Sequence, residues 1–182
     1  MYPIPIINPD RGTRRMIEPE RDQEPRAWRL RGGRMSAPFQ TYFITKCVEA
    51  RRPILAAPSA AEIVIGSLAH ARRQGQIKLV AFVIMHDHYH AIFSLLPGQD
   101  LSDLMRRLGS YTANRIRREL DLGHVIWQAD GFYDRACRNE EEVLDAVEYV
   151  HHNPVRKGLV ASPGEWSFSS AHPSRRGMLD WD

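Results

Sequence analysis

The sequence predicts one α+β domain, its elements running strand, helix, strand, strand, helix, with a further helix near the C-terminus. Three observations carry this reading. Residues Phe39 to Val48 alternate apolar and polar positions as a half-buried strand does. The apolar run from Ile77 to Leu95 is broken only at His86-Asp87, which makes it a pair of strands joined by a tight hairpin. Stretches after Ser59, after Leu101 and after Glu140 carry apolar residues at helical spacing. A length of 182 residues suits one domain with a substantial core and an extension.

Composition narrows the class. A hydrophobic share of 43% and a charged share of 26% are those of an ordinary soluble protein. No apolar run reaches membrane-spanning length. The opening Met1-Tyr2-Pro3-Ile4-Pro5-Ile6-Ile7-Asn8-Pro9 is too interrupted by proline for a secretory signal. Cys47 and Cys137 fit no metal or redox spacing and read as two buried thiols in a reducing cytoplasm. Net charge is only +3, yet the sequence pI is about 9.1 and arginine greatly outnumbers lysine. Arginine gives forked recognition of phosphate, so the bias leans towards nucleic acid, although a GC-rich genome produces it too.

The elements follow in order. Residues 1–35 hold Pro3, Pro5, Pro9, Pro19 and Pro25 among many arginines and read as a basic, flexible extension. Within it, Trp28 to Arg34 could serve as an arm on nucleic acid. The domain occupies 36–172, and 173–182 is a tail. Arg51-Arg52-Pro53 ends the first strand. Ser59 is the expected N-cap of the first helix, with Glu62 completing a capping box. Ile63, Ile65, Leu68 and Ala69 give its apolar face, and it finishes in Arg72-Arg73 before Gly75. Strands over Ile77–Met85 and His88–Leu95 follow, and Pro97-Gly98 breaks the chain. The second helix, 101–120, aligns Leu101, Leu104, Met105 and Leu108, leaving Arg106, Arg107, Arg115, Arg117 and Arg118 on other faces. Those arginines are either a phosphate-contact surface or a solvated face. Val125–Gln128 and Phe132–Ala136 are short extended pieces. The third helix, Glu140 to His152, has acidic residues in its first turn and a stripe of Val143, Ala146, Val147 and Val150. Pro154 is expected to stop it at Asn153.

Candidate chemistry lies at two places. His88 and His90 alternate along a strand, so they point the same way about 7 Å apart, a spacing that suits two imidazoles on one divalent metal. His86 shares their parity, but Asp87 marks a turn before it matters. The competing reading is a strand end with solvated histidines. Tyr149 and Asn153, one helical turn apart, share a face with Cβ atoms about 6 Å apart. If that face meets the histidines, a phenol and an amide oxygen join the metal site. A metal-polarised phosphate could then be attacked by the tyrosine oxygen. Otherwise Tyr149 is an ordinary residue of an amphipathic helix.

These residues carry a resemblance. His88-Tyr89-His90 after an apolar strand resembles the His-hydrophobic-His motif of single-strand DNA transposases. Ile126-Trp127-Gln128, Gly131 to Arg135, Tyr149 to Val160 and Trp166 to Ala171 occur in the order seen in the REP-associated tyrosine transposases. The resemblance spans about Phe39 to Ala171. It implies a ferredoxin-like antiparallel sheet with helices packed on one face. It implies that His88 and His90 bind Mg²⁺ or Mn²⁺, with Asn153 as a polar third ligand. Tyr149 would be the nucleophile, forming a 5′-phosphotyrosine and leaving a 3′-hydroxyl. The substrate implied is single-stranded DNA that folds into hairpins from repeated palindromes, in a bacterial cytoplasm and at the nucleoid, by a monomer or a homodimer. Arg106, Arg107, Arg115 and Arg156 are the expected DNA contacts, chosen from helix position and charge. The pattern departs from the family at His86-Asp87 and at His152.

Two other readings compete. A domesticated hairpin-binding protein for DNA or RNA would use the same fold without chemistry. A histidine-triad nucleotide hydrolase would use His86, His88 and His90 without metal, but Asp87 fills an apolar slot of that pattern.

Overall fold

The computed structural model describes residues 36–129 and 131–180. The expected extension over 1–35, including its basic Trp28–Arg34 segment, lies outside the described residues. A four-stranded antiparallel sheet is built from β1 (Thr41–Cys47), β2 (Ile77–Ile84), β3 (His88–Leu95) and β4 (Tyr133–Cys137), in the order β2-β3-β1-β4. The helices are α1 (Pro58–Arg73), α2 (Leu101–Glu119) and α3 (Glu140–Arg156). His86-Asp87 makes the expected hairpin: the Met85 amide donates to the His88 carbonyl at 2.8 Å across it.

The helices do not share one face of the sheet. α1 and α2 cover one side, where Ile44, Leu79, Phe82, Tyr89 and Phe93 join Ile65, Leu68, Leu104 and Met105 in the larger core. α3 covers the other, its Ala146, Val147 and Val150 packing on Ala81, Val83, Met85, Ile92 and Cys137. This corrects the expected one-sided packing, and the reason lies in the central strands. Residues 88–93 of β3 are buried without alternation, so both faces of that strand need cover.

Helix ends depart from expectation at two points. α1 starts at Pro58 with Ala57 as its cap and no side-chain capping bond, so Ser59 and Glu62 form no capping box. Proline at the first helical position is pre-set in φ and has no amide to satisfy there. Glu62 instead pairs with Arg175. Pro154 does not stop α3, which continues to Arg156. A proline in the last turn removes one helical bond, and the ladder resumes where the Lys157 amide donates to the Asn153 carbonyl at 3.1 Å.

The C-terminal segment closes the free edge of β2. Amides of Ile84 and Ser170 pair with the carbonyls of Phe168 and Phe82, each at 2.9 Å, and the Trp166 indole donates to the Ile84 carbonyl at 2.9 Å. Residues 173–180, expected as a tail, lie against the domain. Asp180 accepts from Arg72 at 2.8 Å, and its amide donates to the Leu79 carbonyl at 2.8 Å. Cys47 and Cys137 form no disulfide with each other; Cys47 is half-buried and Cys137 buried.

Candidate active site

Strand alternation sorts the His-Tyr-His segment between the two cores. Tyr89 points to the side of α1 and α2, where its ring meets Trp127 edge-on at 5.6 Å. Burial there pushes its phenol far above the ordinary value. His88 and His90 point to the side of α3, both buried, with ring centroids 4.8 Å apart. The middle residue of the motif is hydrophobic because it belongs to the opposite core.

Each imidazole is fixed through its Nδ1. His90 Nδ1 lies 2.8 Å from the hydroxyl of Thr45, its partner across β1. His88 Nδ1 lies 2.6 Å from an Asp87 carboxylate oxygen, and Arg51 reaches the other oxygen at 3.5 Å. Ala50 and Arg51 both hold left-handed backbone conformations, φ 53° and 52°, in which Arg51 meets Asp87. Amides of Val48 and Leu55 donate to the carbonyls of Asp87 and His86, at 2.8 and 2.9 Å, so the hairpin tip is held from two loops. The hydrogen bond from His88 is the largest influence holding the Asp87 carboxyl below its usual range. Burial, reinforced by His88, pushes His90 well below the ordinary imidazole value. His90 is therefore neutral near pH 7, the form that binds metals.

The third helix brings its own groups to this pair. The Tyr149 ring meets His90 at 5.5 Å and Phe43 at 5.9 Å, and Phe43 stacks on His90 at 5.2 Å. Asn153, one turn further on, is buried, and its Oδ1 has no hydrogen-bond partner among the described residues. Because α3 runs through Pro154, Arg156 falls two turns beyond Tyr149 on the same side, and its guanidinium lies 4.7 Å from the tyrosine ring centre. α3 is tied down by His151, whose Nε2 lies 2.8 Å from the Ser170 hydroxyl. Burial pushes His151 down to about 4, so it acts as a neutral strut.

The donor set fits a divalent cation. Bonding at Nδ1 leaves each Nε2 for a metal, the arrangement by which outer partners orient metal-binding histidines. An orphaned, buried amide oxygen on the neighbouring helix is a further hard donor. Among the described residues no cluster of three or more His, Cys, Asp or Glu side chains could hold a metal.

Of the residues singled out from sequence, His88, His90, Tyr149 and Arg156 are brought together, with Asn153 on the same helix. The His86 ring faces Trp166, with ring centroids 5.6 Å apart. Arg106, Arg107 and Arg115 are not at this site. They are exposed on α2, on the opposite side of the sheet and on the order of 20 Å away, the thickness of a sheet and a helix. Arg106 and Arg107 pair with Asp103. Sequence reasoning missed Phe43, Asp87 as the partner of His88, and Arg135, whose guanidinium lies 5.9 Å from the Phe43 ring centre. Alternation along β1 and β4 was the signal that could have found Phe43 and Arg135.

Comparison with known proteins finds a family and relatives for the chain. Residues 39–153 match the family described as transposase IS200 like. A REP-associated tyrosine transposase of Escherichia coli (strain K12) is 27% identical over 162 residues, covering 87% of this chain and 90% of the relative. A putative REP-associated tyrosine transposase of Haemophilus influenzae is 26% identical over 118 residues, covering 56% of this chain and 65% of that protein. A solved structure of a REP-associated tyrosine transposase bound to a REP hairpin superposes with a TM-score of 0.64 at 26% identity, covering 82% of this chain and 89% of that one. The chain belongs to the IS200-like transposase family, and within it is similar to the REP-associated tyrosine transposases.

Proposed function

We propose that the protein is a metal-dependent endonuclease and strand transferase that cuts single-stranded, hairpin-forming palindromic DNA with Tyr149 as its nucleophile. The observation that carries this reading is the Tyr149 ring 5.5 Å from the buried His90 ring on one side of the sheet. The substrate class is supported by the similar transposase whose structure holds a REP hairpin.

A Mg²⁺ or Mn²⁺ held by His88, His90 and Asn153 would polarise the scissile phosphate. Imidazole donors favour Mn²⁺ over Mg²⁺, which prefers oxygen. Tyr149 Oη bonds to phosphorus as the bond from phosphorus to the 3′-oxygen breaks. The net proton passes from the phenol to the departing 3′-oxygen, leaving a 5′-phosphotyrosine and a 3′-hydroxyl. No water enters the bond-breaking step, so a 3′-hydroxyl can reverse it. Arg156, over the tyrosine ring, supplies positive charge where the phosphate approaches.

The reading is tested by incubating the protein with Mn²⁺ and an end-labelled oligonucleotide carrying a repeated palindrome from near its gene. A cleaved strand and a protein–DNA adduct on a denaturing gel are the expected products. Binding without either product would favour a non-catalytic hairpin binder.

Two further outcomes are expected. Asp87→Asn keeps the shape at the hairpin tip but loosens the hold on His88, and should weaken Mn²⁺ binding about 10- to 100-fold by calorimetry. Unchanged affinity would remove Asp87 from the site. The arginines of α2 would grip backbone phosphate away from the reacting bond. Arg115, which forms no ion pair among the described residues, should on conversion to alanine lower the slope of log affinity against log salt by about one. An unaltered slope would make that helix face merely solvated.

A further inference from the structure

β4 is an edge strand, and its register sets two side chains beside the reacting groups. Tyr133 lies opposite Thr45, which lies opposite His90, so the three form one row across the sheet. Arg135 lies opposite Phe43 in the adjacent row. Alternation places Tyr133, Arg135 and Cys137 on the side that α3 covers. Two contacts agree: the Arg135 guanidinium sits over the Phe43 ring, and Cys137 is buried in the core under α3. Cys137 closes that end of the strand, but Arg135 is exposed and Tyr133 keeps 40% of its surface open to solvent. Tyr133 is two strand spacings from His90, roughly 10 Å. The entry to the strand is fixed, because Lys46 reaches across the sheet edge and donates to the Gly131 carbonyl at 2.9 Å.

We propose that this edge seats the unpaired DNA next to the bond that Tyr149 cleaves, with Tyr133 stacking on a base and Arg135 holding a neighbouring backbone phosphate. The inference rests on the reading of Tyr149 as the nucleophile and adds a substrate subsite to it. An open aromatic ring beside a guanidinium grips single strands, because an unstacked base offers a π-face and its phosphate lies close by. Bases within a hairpin stem are already stacked on one another, so the subsite belongs to the flank of the hairpin. The chain of contacts Arg135, Phe43, Tyr149, Arg156 gives the strand a cationic group at each end of the tyrosine site.

The test uses Tyr149→Phe protein, so that bound DNA stays whole, and two probes. One is a hairpin oligonucleotide with a short single-stranded flank bearing a fluorescent base analogue; the other is the same hairpin without the flank. Adding Tyr133→Ala should weaken binding of the flanked probe about tenfold and remove the quenching of the analogue. Tyr133→Phe should keep both. Arg135→Ala should reduce the salt slope for the flanked probe by about 0.7. None of the three should alter binding of the bare hairpin. Both side chains are exposed, and matching melting curves would verify that the variants fold. The subsite is overturned if Tyr133→Ala and Arg135→Ala bind both probes as their parent does. If wild type forms the adduct at the same time, the subsite alone has failed. If wild type forms no adduct with any palindrome, the nucleophile reading has failed and the subsite falls with it.

Discussion

Tyr149→Phe should abolish cleavage and the covalent adduct while leaving hairpin affinity unchanged. The substitution removes only the hydroxyl, so the ring keeps its contacts with Phe43, His90 and Arg156. Loss of a sole nucleophile typically slows the reaction by on the order of 10⁴-fold or more. Single-turnover cleavage of a labelled palindrome, read beside anisotropy binding of the same oligonucleotide, separates the two effects. A variant that still cut at near wild-type rate would show that a water molecule or another side chain attacks the phosphate.

The second large effect is expected from His90→Ala. The variant loses the proposed metal donor, and the Thr45 hydroxyl loses its partner. Phe43 loses the ring it stacks on. Mn²⁺ binding should fall beyond measurement by calorimetry. Cleavage should drop by about 10³-fold, the equivalent of several kcal/mol of lost charge stabilisation. The fold should survive, at a cost of about 1–3 kcal/mol for the unpaired hydroxyl and the small cavity. Chelation of metal from wild-type protein should copy the catalytic loss without the loss of stability. Cleavage that persists under chelation would contradict the assignment of His88 and His90.

How much of this was legible in the sequence depends on range. The hairpin at His86-Asp87 and the alternation of His88, Tyr89 and His90 are local, and the structure has them as read. So is the spacing that puts Tyr149 and Asn153 on one helical face. What the sequence did not reveal is the side of the sheet each helix takes. Residues 88–93 are apolar or buried throughout, and such a run does not say which helix covers which face. The expected one-sided packing would have set α2 and its arginines beside the tyrosine. Two-sided packing separates them and leaves Arg156 and Arg135 near it. Pro154 misled for a related reason: the local rule against proline in a helix is outweighed where the next turn remains bonded, and that extra turn carries Arg156. Phe43 read as one strand residue among several, because only the register between β1 and β3 sets it against His90.

A covalent bond from Tyr149 to DNA is tested most directly by locating the site of attachment. Wild-type protein would be trapped with a labelled palindrome and Mn²⁺, the DNA trimmed by nuclease, and the protein digested for mass spectrometry. A nucleotide remnant is expected on the peptide that contains Tyr149, bound through a phosphotyrosine ester, and none on that peptide when Mn²⁺ is withheld. A remnant on Tyr111, Tyr133 or a histidine, or cleavage with no remnant on any peptide, would contradict it.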